Sequence, residues 1–257
     1  MPHQGTFCWA DLATQAPAAA KTFYAELLGW TFEDLETGQE VPYSLCQRDG
    51  KRVAGLYEMA PEQGAFPYWA SYVRVADLAA TTERAVALGG RILMPRAEML
   101  RLGAMAFIQD PTRAVLGLWQ PGTLAGVEAL GTLGAPAWIE LQTRDLTKAA
   151  VFYAGLFGWE TRDDERASDT RRALFVRDGQ TIGGMMLLDA SWGSMPASWS
   201  TCFGVTDCDA AVATTERRGG SVVMDPVMVD AVGRIAVLGD PQGAIFAVVE
   251  PAIPPAL

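Results

Sequence analysis

The sequence contains an internal repeat, and this feature constrains the fold more than any other. The segment Trp9–Trp30 aligns with Trp138–Trp159 at a constant offset of 129 residues, and both segments contain a Phe-Tyr pair and a closing Gly-Trp pair. From Trp69 and Trp199 onward the offset is 130 and stays there to the end of each copy. Matches that run through a whole unit with a single insertion indicate a duplication, so the chain is built from two diverged copies of one unit.

The repeat predicts the domain organisation. We expect one unit over residues 1–121 and a second over residues 137–257. Residues 122–136 are rich in glycine and small side chains, a composition typical of a linker.

Each copy shows the same order of predicted elements. A short alternating strand, Trp9–Thr14 or Trp138–Thr143, precedes a helix, and further strands follow around an Asp-Gly turn. The pattern then recurs inside the copy, so that each copy consists of two βαβββ-like modules. The predicted helices cover Pro17–Leu28, Leu78–Leu88, Leu146–Phe157 and Ala210–Arg217. The fold class expected from this order is α+β.

Composition excludes several classes of function. Half of the residues are hydrophobic and 19% are charged, as in a globular protein with a large core. The net charge is -10 and no basic tract occurs, so nucleic acid is not an expected partner. No apolar run is long enough for a membrane span, and the N-terminus has no signal-peptide pattern. Four scattered cysteines favour a reduced, cytoplasmic location.

Two motifs of the second copy carry a family resemblance. Arg144–Trp159 reads RDLTKAAVFYAGLFGW, and Gly239–Pro251 reads GDPQGAIFAVVEP. Together with a glycine-rich region between them, they resemble the vicinal oxygen chelate superfamily, which includes glyoxalases, extradiol dioxygenases and bleomycin resistance proteins. The resemblance implies tandem glyoxalase/bleomycin-resistance-like units, in which paired βαβββ modules form curved mixed sheets that enclose cavities.

The same resemblance identifies where metal-dependent members hold their ligands. Those positions lie on the first strand, the middle strand and the last strand of a unit. In this chain they are occupied by Trp9 and Trp138, by Ala70 and Ser200, and by Gly117 and Ala247. The single histidine of the chain, His3, lies outside these strands. Since family sites use histidine with glutamate, we expect no metal site and no cofactor.

Strand alternation predicts which side chains face the cavities. Trp9 and Asp11 on the first strand correspond to Trp138 and Glu140 in the second copy, where Gln142 continues the same face. An aromatic wall with a carboxylate suits a small aromatic or cationic molecule. The further residues predicted to contact the ligand are Tyr72, Arg74, Trp119 and Cys202. The alternative is that these tryptophans fill the core and the carboxylates pair with arginine or backbone groups.

Other tryptophans are predicted to pack in the core. Alternation directs Trp69 and Trp199 toward the helices, and Trp30 and Trp159 follow the glycine that ends a helix. Asp11 and Glu140 are the candidate acid–base residues, because a carboxyl group beside an indole in a dry cleft has a raised pKa.

Three functions remain open from the sequence. The first is a metal-independent binding protein that sequesters an aromatic or cationic metabolite or antibiotic, as bleomycin resistance proteins do. The second is a metal-free tailoring or detoxifying enzyme, a lyase, isomerase or hydrolase, that uses Asp11 or Glu140. The third is a glyoxalase or dioxygenase with atypical ligands, and a scaffold role is a further alternative. The chain is expected to be a monomer or a homodimer.

Overall fold

The computed structural model describes residues 4–36, 42–60, 66–164, 172–230 and 232–252. These residues form four modules, each with the order β-α-β-β-β, and two consecutive modules make up each copy of the repeat. The predicted α+β class and the pair of βαβββ modules in each copy are therefore confirmed. No helix in the described part of the chain is both long enough and apolar enough to cross a bilayer.

The first copy contains ten elements. They are β1 (Phe7–Thr14), α1 (Pro17–Leu28), β2 (Thr31–Leu35), β3 (Tyr43–Arg48), β4 (Lys51–Glu58), β5 (Tyr68–Arg74), α2 (Leu78–Ala87), β6 (Arg91–Met99), β7 (Gly103–Gln109) and β8 (Val115–Pro121).

The second copy repeats this order. Its elements are β9 (Pro136–Thr143), α3 (Leu146–Phe157), β10 (Glu160–Asp163), β11 (Arg172–Arg177), β12 (Gln180–Leu187), β13 (Ser198–Gly204), α4 (Cys208–Arg217), β14 (Ser221–Val229), β15 (Gly233–Gly239) and β16 (Ile245–Pro251). A short 3-10 turn, Ala190–Trp192, lies between β12 and β13.

The strands form two sheets, ordered β2-β3-β4-β1-β5-β8-β7-β6 and β10-β11-β12-β9-β13-β16-β15-β14. Within a module the first strand pairs in parallel with the last, as β1 does with β4, and the remaining pairs are antiparallel. The edge strands β2, β6, β10 and β14 were not among the predicted elements. None of their residues is buried, and β6 and β14 each contain a proline, Pro95 or Pro226, which argues against a strand in a sequence pattern.

Helix ends follow from local sequence. Asp77, Asp145 and Asp207 are N-caps whose carboxylates accept from backbone N–H groups in the first turn. Gly29 and Gly158 end α1 and α3 in the left-handed conformation, with φ of 68° and 72°. The helices predicted over Pro17–Leu28 and Leu146–Phe157 are confirmed, and α4 begins two residues earlier than predicted, directly after its cap.

The chain packs into two compact units, and each draws segments from both copies. Unit A comprises residues 1–9, 71–126 and 138–200, and unit B comprises residues 10–70, 127–137 and 201–257. The core of unit A combines strands around α2 with α3 and its strands. The core of unit B combines α1 and its strands with strands around α4. Each hydrophobic core therefore depends on both copies of the repeat.

The repeated motifs form a buried polar network in each unit. In unit A the Tyr153 hydroxyl donates to Asp110 Oδ2 at 2.8 Å and accepts from Trp199 Nε1 at 3.0 Å. In unit B, Tyr24 donates to Asp240 Oδ2 at 3.1 Å and accepts from the Trp69 indole at 3.0 Å. The Phe-Tyr and Asp-Pro motifs are thus joined directly by these bonds.

The predicted linker is ordered within the described residues. The Leu124 carbonyl accepts from Trp119 Nε1 at 2.9 Å, and the Gly134 carbonyl accepts from Trp30 Nε1 at 2.6 Å. Glu128 forms an ion pair with Arg52. The segment is therefore held by specific contacts and does not behave as a loose tether.

Candidate functional site

Strand β9 presents one face that is partly open to solvent. Trp138, Glu140 and Gln142 are partly exposed, whereas Ile139 and Leu141 between them are buried in the core of unit A. The alternation predicted for this strand is therefore present.

Two neighbouring strands continue this face. Register places Gly184 and Met186 of β12 beside Glu140 and Gln142. Strand β11 follows, with Leu174 beside Gly184 and Arg172 beside Met186. We call this surface the β9 face, and it consists of Trp138, Glu140, Gln142, Arg172, Leu174, Gly184 and Met186. All of these residues belong to unit A.

The absence of a side chain at Gly184 makes room for the indole of Trp138. A Cβ atom at Gly184 would lie 2.9 Å from Trp138 Cζ2, closer than normal van der Waals contact. The indole therefore lies against Gly184 of β12, the strand position that pairs with Glu140.

Glu140 carries the acid chemistry of this face. Its side chain is 18% exposed, and Oε1 lies 3.8 Å from Arg172 Nη1. Burial raises the pKa of Glu140, and nearby Asp164 raises it further, while Arg172 and the Trp138 indole oppose the shift. A carboxyl group with a raised pKa can exchange a proton closer to neutral pH than an ordinary glutamate can.

Polar groups also flank the carboxylate along the strands. Gln142 Oε1 accepts from the Ser198 hydroxyl at 3.0 Å, which leaves the amide N–H groups of Gln142 as donors. Arg172 Nη2 donates to the Met186 sulfur at 3.4 Å. The face therefore combines an indole, a carboxyl group and hydrogen-bond donors.

The equivalent strand of the first copy, β1, has no face open to solvent. All eight residues of β1 are buried, whereas β9 exposes alternate residues. Asp11 is 5% exposed and accepts from the Tyr43 hydroxyl at 2.6 Å. Gly55 allows this contact, because a Cβ there would meet both partners. Asp11 is held in a buried hydrogen bond, out of reach of solvent.

The other residues predicted in the first copy are also packed. Trp9, Tyr72 and Trp119 are between 1% and 5% exposed. In unit A, Trp119 donates to the Leu124 carbonyl, Tyr72 to the Met105 sulfur, and Arg74 to the Ala125 carbonyl. Their assignment as ligand contacts stays a prediction that would require this packing to open.

Cys202, the predicted contact in unit B, lies beside Ala247 in the parallel pair β13–β16 and is 6% exposed. Its place corresponds to that of Tyr72, beside Gly117, in the first copy. In the second copy Cys202 and Val249 therefore stand where the first copy has Tyr72 and Trp119. Bulky aromatic side chains are replaced by small ones.

Arg172 and Met186 were not predicted from the sequence. The repeat contains a signal that could have identified Arg172. At the offset of 129 residues, Glu140 corresponds to Asp11, and Arg172 corresponds to Tyr43, which donates to Asp11. The duplicated pair is thus a carboxylate with a phenol in one copy and a carboxylate with a guanidinium in the other.

The donor set does not fit the metal of the family. The three ligand positions carry tryptophan, alanine or serine, and glycine or alanine, so only the Ser200 hydroxyl offers a donor atom. Within the described residues there is no group of three His, Cys, Asp or Glu side chains able to hold an ion. His3 lies outside the described residues.

Unit B contains a separate pocket of about 270 Å³ between the end of α1 and the start of α4. None of the predicted site residues lines it. Arg48 in this pocket donates to the Leu28 and Gly29 carbonyls, and Glu26 forms ion pairs with Arg217 and Arg218. Its charged side chains are therefore already engaged.

The chain is similar to known proteins over nearly its whole length. The model of the Glyoxalase/Bleomycin resistance protein/Dioxygenase superfamily matches residues 6–117 and 135–248. A curated Mycobacterium tuberculosis protein, "Putative glyoxylase CFP32", is 36% identical over 97% of this chain and 96% of its own length. "Anthracycline biosynthesis protein DauV" of Streptomyces sp. (strain C5) is 33% identical over 96% of this chain and 93% of its own length.

The fold is also found in solved structures. The Mn(II)-bound glyoxalase from Novosphingobium aromaticivorans superimposes with a TM-score of 0.63, covering 96% of this chain and 82% of the other, at 11% identity. At that identity the likeness concerns the fold alone. The tandem modules, the repeated motifs and the match of both copies together show that this chain belongs to the Glyoxalase/Bleomycin resistance protein/Dioxygenase superfamily.

Proposed function

We propose that the protein binds a small planar aromatic molecule on the β9 face without a metal ion. The observation that carries this proposal is the partly exposed face of β9. On this face Trp138 shares the strand with the Glu140 carboxyl group, and Arg172 and Gln142 have N–H groups available to a guest. The partly exposed indole, which lies against Gly184, offers an aromatic surface for stacking, and flanking polar groups can orient the guest.

The second copy is the better candidate for the working site. The corresponding strand of the first copy is entirely buried, and its carboxylate is bonded to Tyr43. Trp138, Glu140 and Gln142 therefore form the proposed site, while Trp9, Tyr72 and Trp119 support the fold of the first copy.

The named relatives favour an aromatic guest. One relative is named for anthracycline biosynthesis, and anthracyclines are planar polycyclic compounds. The family's metal positions, of which only Ser200 carries a donor atom, favour binding of the guest through side chains alone. Sequestration of an aromatic metabolite or antibiotic, in a cytoplasmic monomer or homodimer, is the function that combines these features.

A metal-free enzyme is the second candidate, and the raised pKa of Glu140 favours it. In such an enzyme Glu140 is the proton donor or acceptor, whereas Asp11 is enclosed by its own packing. The chemistry to look for is a proton transfer on a bound aromatic compound.

One experiment tests the binding function and separates the two candidates. Planar aromatic compounds are titrated against the wild type by calorimetry, and the bound compound is then extracted and analysed. We expect saturable binding that weakens roughly 2- to 12-fold in Trp138→Leu, because stacked aromatic contact is worth roughly 0.5–1.5 kcal/mol beyond its buried area.

The control is Phe66→Leu, which shortens an aromatic side chain that is 81% exposed. Equal affinity in wild type and Trp138→Leu would refute the proposed site. Recovery of an unaltered compound supports sequestration, and its conversion by wild type but not by Glu140→Gln supports the enzyme.

A further inference from the structure

The hydrogen-bonding capacity left open on the β9 face is mainly donor capacity. Arg172 has five N–H groups, and among the described residues they meet only the Met186 sulfur and a carboxylate oxygen 3.8 Å away. A thioether sulfur is a weak acceptor, and 3.8 Å is too long for a hydrogen bond. Arg172 is nevertheless 30% exposed, so a guest can reach it.

Register places a second donor in the same row. Arg172, Met186 and Gln142 lie side by side on β11, β12 and β9. Gln142 uses its carbonyl oxygen to accept from Ser198, so its amide N–H groups are directed away from that bond. Neighbouring strands are about 4.8 Å apart, so the two donors stand roughly 10 Å apart at the backbone, with a flexible thioether between them.

The acceptors near this row are already engaged. The Glu140 carboxyl group, which is only 18% exposed, lies within ion-pair distance of Arg172. Asp164 also has interaction partners, and its backbone N–H donates to the Arg172 carbonyl. A cationic guest on this face would be repelled by the Arg172 guanidinium. The Glu140 carboxyl group that could attract such a guest already interacts with Arg172.

From this arrangement we infer that the guest is an uncharged aromatic ketone or quinone, whose carbonyl oxygen accepts from Arg172 while its ring stacks on Trp138. This inference rests on the proposed function and names the chemical class of its aromatic guest. Glu140 acts as a positioning residue that keeps the guanidinium on the face, and Gln142 is the second donor for a guest with a second oxygen.

Three tricyclic probes test this assignment. 9-Fluorenone carries a ring carbonyl, fluorene has a methylene group in its place, and N-methylacridinium is a planar cation. A hydrogen bond to a charged donor is worth about 1.5–3 kcal/mol, so we expect wild type to bind fluorenone roughly 10- to 100-fold more tightly than fluorene.

Variants identify the donor. In Arg172→Met the preference for fluorenone over fluorene should disappear while fluorene binding is retained, and Arg172→Lys should retain part of the preference. The control is Arg101→Met, which removes an exposed arginine of unit A from the turn between β6 and β7. Thermal unfolding of each variant shows whether it is folded.

The outcomes distinguish the assignment of a carbonyl-bearing guest from the proposed aromatic site itself. Equal binding of fluorenone and fluorene, or tightest binding of N-methylacridinium, overturns the carbonyl assignment and leaves an aromatic site intact. Failure of all three probes to bind more tightly to wild type than to Trp138→Leu overturns the proposed function itself.

Discussion

The hydroxyl of Tyr153 makes two buried polar contacts in unit A, and Tyr153→Phe tests their contribution to stability. The hydroxyl joins Asp110 and Trp199, which are 3% and 6% exposed, while Tyr153 itself is fully buried. Phenylalanine keeps the ring and its packing but removes the oxygen.

The magnitude follows from the two bonds. Asp110 keeps its bonds from the Thr112 hydroxyl and from the Thr112 and Ala114 backbone N–H groups. All three of these bonds go to Oδ1, so Oδ2 loses the one hydrogen bond recorded for it among the described residues. Trp199 Nε1 is left buried, and within the described residues no other acceptor is recorded for it. A buried polar group without a partner costs about 1–3 kcal/mol, so for the two groups together we expect the free energy of unfolding to fall by roughly 2–6 kcal/mol.

The assay is denaturant unfolding, followed by tryptophan fluorescence, with the midpoint and slope compared with wild type. Tyr24→Phe in unit B should lose a similar amount, since Tyr24 makes the same two contacts. Tyr68→Phe is the control, because Tyr68 is partly exposed and its hydroxyl lies 3.4 Å from that of Tyr57. A loss of less than 0.5 kcal/mol in Tyr153→Phe, about the size of a surface substitution, would show that this reasoning is wrong.

Two further predictions concern the pH dependence of stability and the independence of the copies. Because burial raises the pKa of Glu140, the folded state binds this proton more tightly than the unfolded state, and the resulting stability is lost as pH rises from about the ordinary value of 4.5 through the raised pKa. Glu140→Gln should therefore be more stable than wild type at pH 7 and lose this advantage near pH 4 in thermal unfolding; a less stable variant at pH 7 would contradict the shift. A fragment of residues 137–257 should show no cooperative unfolding as a monomer, because Tyr153 and Trp159 then lack Asp110 and Gly5; a cooperative monomeric transition would show that one copy folds alone.

Local periodicity was enough to predict most secondary structure. The repeat identified the modules, the helix stop at Gly158 marked the end of α3, and alternation directed Trp138 and Glu140 to the face opposite the core. These features depend on residues near one another in the chain, where the side-chain period is set by the backbone alone. The exposed edge strands were missed because β2 and β10 are short and largely polar, while β6 and β14 each contain a proline, Pro95 or Pro226, which argues against a strand.

Only the tertiary structure decided how the modules combine and which carboxylate is accessible. Asp11 and Glu140 occupy equivalent places in the repeat, yet one is enclosed with Tyr43 and the other lies on a partly open face beside Arg172. Likewise, each hydrophobic core draws on both copies. Burial depends on neighbours far away in the sequence, and a pattern that repeats in both copies cannot by itself show where those neighbours differ.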